Sequence, residues 1–136
     1  MKREIKFRGF NTKNNKWLYG DLIHNRGLTF ICPVGIADPF ATWKDFVVES
    51  ESVGPFTGLY DCEGKEIYEG DLLEVANHKR DKECIADVIF LDGAFWLHFL
   101  NEDLLSIKEV SECWVVIGNI HDNPELTERK VKTIIE

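Results

Sequence analysis

Cys84-Ile85-Ala86-Asp87-Val88-Ile89-Phe90-Leu91-Asp92-Gly93-Ala94-Phe95-Trp96-Leu97-His98-Phe99-Leu100 reads as two apolar runs around Asp92-Gly93. Asp-Gly between such runs signals a tight hairpin, because both central residues of a type I′ turn need positive φ. A two-residue turn sets the register. Leu91 then faces Ala94, Ile89 faces Trp96, and Asp87 faces His98. One face carries Ala86, Val88, Phe90, Phe95, Leu97 and Phe99, and is expected to be core. The other carries Ile85, Ile89, Trp96 and Leu100 around Asp87 and His98.

Toward the N-terminus the same extended chemistry recurs. Glu4 to Phe10 alternates, with Ile5 and Phe7 on one side and Lys6 and Arg8 on the other. Asn11 to Lys16 has the Asn-rich chemistry of a turn, and Trp17 to His24 resumes the extended pattern, so residues 4–24 read as a hairpin. Leu28 to Cys32 and Phe46 to Glu49 read as short strands, while Pro33, Gly35 and Pro39 oppose a long helix between them. Ser52 to Leu59 is extended, Asp61-Cys62-Glu63-Gly64 is a turn, and Gly70-Asp71 introduces a strand through Val75. Asn77 to Lys82 is a polar loop, and Asn101 to Glu112 admits a helical turn. Trp114 to Ile120 is a strand. Asn123-Pro124 suits the start of a helix, with Leu126, Val131, Ile134 and Ile135 as its apolar stripe.

Bulk composition agrees with a folded β-rich chain. It has 136 residues, 44% hydrophobic and 12% aromatic, enough to fill a core. Acidic residues number 24 against 16 basic, a net charge of −8 that opposes unspecific phosphate binding. Lys2, Arg3, Lys6 and Arg8 are interrupted by Glu4 and read as a solvated strand face. No apolar stretch approaches the roughly 20 residues of a membrane helix. Cys32, Cys62, Cys84 and Cys113 show no Cys-x-x-Cys pair and no metal-ligand spacing, so they read as reduced thiols in a cytoplasmic protein.

Three blocks resemble the YopX family of small phage and prophage proteins. They are Ile5-Lys6-Phe7-Arg8-Gly9-Phe10 leading to Trp17-Leu18-Tyr19-Gly20; the Ser52 to Val75 block, with Thr57-Gly58-Leu59, Asp61 and Gly64-Lys65-Glu66-Ile67-Tyr68-Glu69-Gly70-Asp71; and Val115 to Leu126, with Gly118-Asn119-Ile120-His121-Asp122-Asn123-Pro124. The resemblance implies a phage or prophage origin in a bacterial host and a mostly β fold, and it supplies no catalytic residues to carry over. Gly-Asp before a strand also resembles SH3-like barrels, a fold analogy without functional weight. The expected fold is therefore mostly β, or β-rich α+β. Antiparallel strands would form an SH3-like, partly open barrel in the C-terminal half, followed by a short C-terminal helix. Residues 1–136 would form a single YopX-like domain, or two packed subdomains of about 1–60 and about 61–136.

The expected function is that of a phage-type accessory protein acting by protein binding or assembly. The possible interface is Ile85, Ile89, Trp96 and Leu100, an apolar face to be covered by the N-terminal hairpin or by a second chain. Homo-oligomerisation and an unknown protein partner are the expected associations, with no membrane and no cofactor. The alternative is a small metal-assisted hydrolase using Asp87 and His98 as catalytic candidates, or the acidic stretch Glu63, Glu66, Glu69, Asp71 and Glu74. No Ser or Cys is placed to complete a nucleophilic triad, the acidic spacing matches no EF-hand, and no phosphate-binding glycine loop is present. The structural alternative for Asp87 and His98 is a cross-strand polar pair. A further alternative is a modulator of nucleic-acid processes, presenting carboxylates to the basic surface of a host protein.

Overall fold

The computed structural model describes residues 4–75, 84–109 and 113–127. The chain divides into two compact units, Met1–Gly58 and Leu59–Glu136. Both are built of antiparallel strands, and the helices among the described residues are short 3-10 turns.

In the first unit, β1 (Phe7–Asn11), β2 (Lys16–Asn25), β3 (Leu28–Cys32) and β4 (Gly54–Tyr60) lie in the order β3-β2-β1-β4. β1 and β2 form the expected hairpin, with Gly9 opposite Leu18 and Phe10 opposite Trp17. Asn15 takes positive φ at the turn. The β2–β3 turn is less legible, because Arg26 adopts positive φ beside Gly27, a conformation unusual for a residue with a long side chain. Leu18, Ile31 and Val48 form the core of this unit, flanked by Phe7, Leu22, Phe46 and Val53. Gly9 is required there, since a Cβ would lie 2.7 Å from Val48 Cγ2.

Three sequence expectations change here. Residues 46–49 do not form a strand of their own. They meet β3 through one bridge, Phe30 to Val47, with Ile31 N–H donating to Phe46 O and Val48 N–H to Thr29 O. Arg8 is not solvated: it is 6% exposed and its guanidinium lies 4.9 Å from the Trp17 ring centroid. Asn11, read as a turn residue, is fully buried. Its amide donates to Lys44 O and Val47 O, and its Oδ1 accepts from Asn14 N–H. These bonds tie the irregular segment before β4 to the first hairpin.

β4 ends in the second unit, where Asp61 to Lys65 turn the chain back into β5 (Glu66–Tyr68). An open sheet follows, built from β6 (Asp71–Val75), β7 (Ile85–Leu91), β8 (Ala94–Phe99), β9 (Leu104–Ser106) and β10 (Trp114–Asn119). Its order is β10-β6-β7-β8-β9. The two end strands are not joined, so the expected SH3-like barrel closure is absent among the described residues. Part of the physical reason is that Asp61 and Cys62, not another strand, occupy backbone groups of β10: Val116 N–H donates to Asp61 Oδ2 and Trp114 O accepts from Cys62 N–H. Ile67, Leu73, Ala86, Val88, Leu97, Ile107 and Trp114 make the core of this unit. β5 and β9 were not anticipated; each is only three residues long, too short for alternation to show. The C-terminal helix appears as a 3-10 turn over Pro124–Thr127, and the rest of that expectation lies outside the described residues, as does the loop at 77–82.

Candidate functional site

The β7–β8 hairpin has the register expected from Asp92-Gly93. Asp92 has φ 51° and Gly93 φ 80°, and Asp87 stands opposite His98, Ile89 opposite Trp96, and Leu91 opposite Ala94. The neighbouring strands are shorter than the hairpin. β6 pairs with β7 only at Ile85, Ala86 and Asp87, and β9 pairs with β8 only from Trp96 to His98. Val88 O still accepts the Gly70 N–H, and residues 89–95 overhang the sheet as a two-stranded tip.

That overhang corrects one core assignment. Ala86, Val88 and Leu97 are buried as expected, but Phe90 is 51% exposed and stacks edge-on against Phe95 at 5.1 Å. On the opposite face Ile85 is 2% exposed, whereas Ile89, Trp96 and Leu100 are only half-buried. Leu91 is 42% exposed, and Trp96 Nε1–H donates to its carbonyl at 3.0 Å. Exposure is thus concentrated at the tip, while Ile85 belongs to the buried base.

Asp87 and His98 lie together. Asp87 Oδ1 is 3.3 Å from His98 Nδ1, and Asp87 is 8% exposed. Sequence pairing did not reveal the second carboxylate: Glu102 Oε2 approaches His98 Nε2 at 3.1 Å. Glu102 reaches back because the chain reverses after β8, with Glu102 N–H bonded to Phe99 O and Glu102 itself at φ 73°. The imidazole therefore has a carboxylate at each nitrogen. Such an arrangement holds the ring in place, with Nε2 directed at the Glu102 side chain, which is 65% exposed.

The acidic stretch disperses. Asp71 is 2% exposed and accepts the Tyr68 N–H, stabilising the turn in which Gly70 has φ 92°. Glu66 accepts the Tyr68 hydroxyl. Glu69 is half-buried, and desolvation raises its carboxyl above the ordinary range. Glu74 is buried and Glu63 exposed. No group of three or more His, Cys, Asp or Glu that could hold a metal occurs among the described residues.

The cysteines depart from expectation. Cys32 and Cys84 form no disulfide, while Cys62 and Cys113 are joined in one. Their separation of 51 residues carries no spacing signal. They meet because Asp61 and Cys62 bond the first residues of β10. Asp61 also accepts N–H bonds from Glu63 and Lys65 at 2.9 and 2.8 Å. Burial opposes ionisation of Asp61, yet the backbone donors from Val116, Lys65 and Glu63 hold its carboxyl below the ordinary value.

The Val115 to Leu126 motif has a similar structural basis. Asn119 Oδ1 accepts His121 N–H and Asp122 N–H, and Asn119 N–H donates to Asn123 Oδ1. A Cβ on Gly118 would run into Asn123 Oδ1.

The fold is that of a two-unit, open-sheet β protein. The family model described as YopX protein matches residues 6–128, and the chain belongs to the YopX family. It is similar in structure to protein EF1440 from Enterococcus faecalis. That likeness has 26% identity and a TM-score of 0.56, covering 92% of this chain and 99% of that one. It is also similar to yopX from Bacillus subtilis, at 20% identity and TM-score 0.56 over 90% of this chain and 98% of that one, which shows the shared fold. A comparison with curated proteins finds no match. No helix among the described residues is long and apolar enough to cross a membrane.

Proposed function

We propose that the protein is a phage-type accessory factor acting by protein binding, with a second copy of the chain docking on the overhanging tip of the β7–β8 hairpin. The observation that carries this reading is the exposure of Phe90 and Leu91, at 51% and 42%, beside half-buried Ile89 and Trp96. A ribbon extending past both neighbouring strands has apolar surface that its own sheet does not cover. Trp is a frequent interface anchor, and symmetric self-association is the commonest way to cover such a surface. Leu100, at the base of β8, extends the face of Ile89, Leu91 and Trp96, and Phe90 lies on the opposite face of the ribbon.

Catalysis by Asp87 and His98 has less support, because no nucleophile or metal-binding group is placed beside the pair among the described residues. The resemblance to phage and prophage proteins supports a cytoplasmic site of action in a bacterial host. There the Cys62–Cys113 bond would meet a reducing thiol pool.

Sedimentation at micromolar concentration tests the proposal. The unmodified chain is expected to be oligomeric, while Leu91→Lys and Trp96→Lys give monomers with unchanged circular dichroism. A monomeric unmodified chain overturns the reading. So does an oligomer that survives Leu91→Lys, since Leu91 is exposed and its replacement leaves the core intact.

A further inference from the structure

We infer that the second unit binds a small aromatic carboxylate of about two rings, in a cavity at the mouth of its core. This is independent of hairpin docking, since no residue of the overhanging tip lines the cavity. Its volume is about 310 Å³, and its lining includes Tyr60, Cys62, Ile67, Leu97, Lys108 and Trp114. Ile67, Leu97 and Trp114 are 4%, 0% and 7% exposed, so the floor is the core itself. A dry cavity of about 150 Å³ accommodates benzene, so roughly twice that space suits two rings. Apolar walls with a few polar groups are the usual make-up of a small-ligand site.

Charge selects the ligand's head group. Asp61 borders the cavity, but its oxygens already accept N–H bonds from Glu63, Lys65 and Val116. Lys108, on the 3-10 turn Ile107–Glu109, also borders the cavity and forms no ion pair among the described residues. An exposed lysine at the rim favours an anionic head group, leaving the ligand's apolar body for the floor.

A free small molecule is favoured over a peptide. A peptide adding to the adjacent strand edge would need backbone partners. On β10, Val116 N–H is held by Asp61 and Trp114 O by Cys62 N–H. The same bonds, with the Cys62–Cys113 disulfide, pin the rim and preorganise the cavity.

The test titrates the full chain with 2-naphthoate and with neutral 2-naphthylmethanol, using calorimetry and amide NMR. Naphthoate is expected to bind with Kd below about 1 mM, shifting the amides of Tyr60, Cys62, Lys108 and Trp114. Lys108→Met should weaken naphthoate roughly fivefold and leave the alcohol unchanged, with Lys108→Arg restoring the acid. Lys108 is exposed, so both variants are expected to fold. Absence of naphthoate binding, shifts mapping elsewhere, or equal weakening of both compounds by Lys108→Met would each overturn the assignment. Tighter binding of a peptide ending in an aromatic residue would also overturn it and make the site a peptide-docking one.

Discussion

Replacing Asp61 by Ala should destabilise the second unit more than any other change in its turns. The carboxylate accepts three backbone N–H bonds, from Glu63, Lys65 and Val116, and the residue is only 7% exposed. An orphaned buried donor costs about 1–3 kcal/mol. Glu63 and Lys65 are exposed, so water can replace the carboxylate at their amides, whereas Val116 is half-buried. One donor near the upper figure and two at a fraction of it give a loss of about 2–4 kcal/mol. Asp61→Asn should lose about half as much: its carbonyl oxygen can keep the two turn bonds, but its amide would point a donor at the Val116 N–H. Urea unfolding reads the total, and native-state hydrogen exchange at Val116 reads the decisive bond directly. Because the folded-state carboxyl titrates below its ordinary value of 3.8, its ionic contribution is fully present above that value. The contribution is lost as pH falls through the folded pKa. The gap between the two proteins should therefore be flat near neutral pH and close in acid. Unchanged Val116 exchange, or a loss under about 0.5 kcal/mol at pH 7, would refute this reasoning.

Two further outcomes follow from the same unit. Gly118→Ala should cost about 1–2 kcal/mol, because its Cβ meets Asn123 Oδ1. A double-mutant cycle with Asn123→Ala should show strong non-additivity, and simple additivity of the unfolding free energies would exclude the clash. Glu69→Gln should raise thermal stability at pH 7. Burial raises the Glu69 pKa in the fold, so its folded ionised form is penalised as pH rises. The gain should vanish below the ordinary carboxylate range, and a gain that persists in acid would assign it to packing instead.

The β7–β8 hairpin was legible from residues alone because Asp92-Gly93 supplies the positive φ that a tight turn needs, and period-two alternation then fixes every partner. The same local logic identified β1, β2, β3, β6 and β10. The family resemblance rests on residues with local work to do, including Gly70, Asp71 and Gly118. What the tertiary structure decided involves groups far apart in sequence or the relative lengths of neighbours. Phe90 has an apolar pattern identical to that of Val88, yet it is exposed because β6 stops short of it. Glu102 joins His98 only through the chain reversal after β8. Cys62 meets Cys113 because Asp61 and Cys62 take up backbone groups of β10, leaving the sheet open where a barrel was expected. Alternation reports which side of a strand is apolar; only the assembled sheet determines how far along that strand the cover extends.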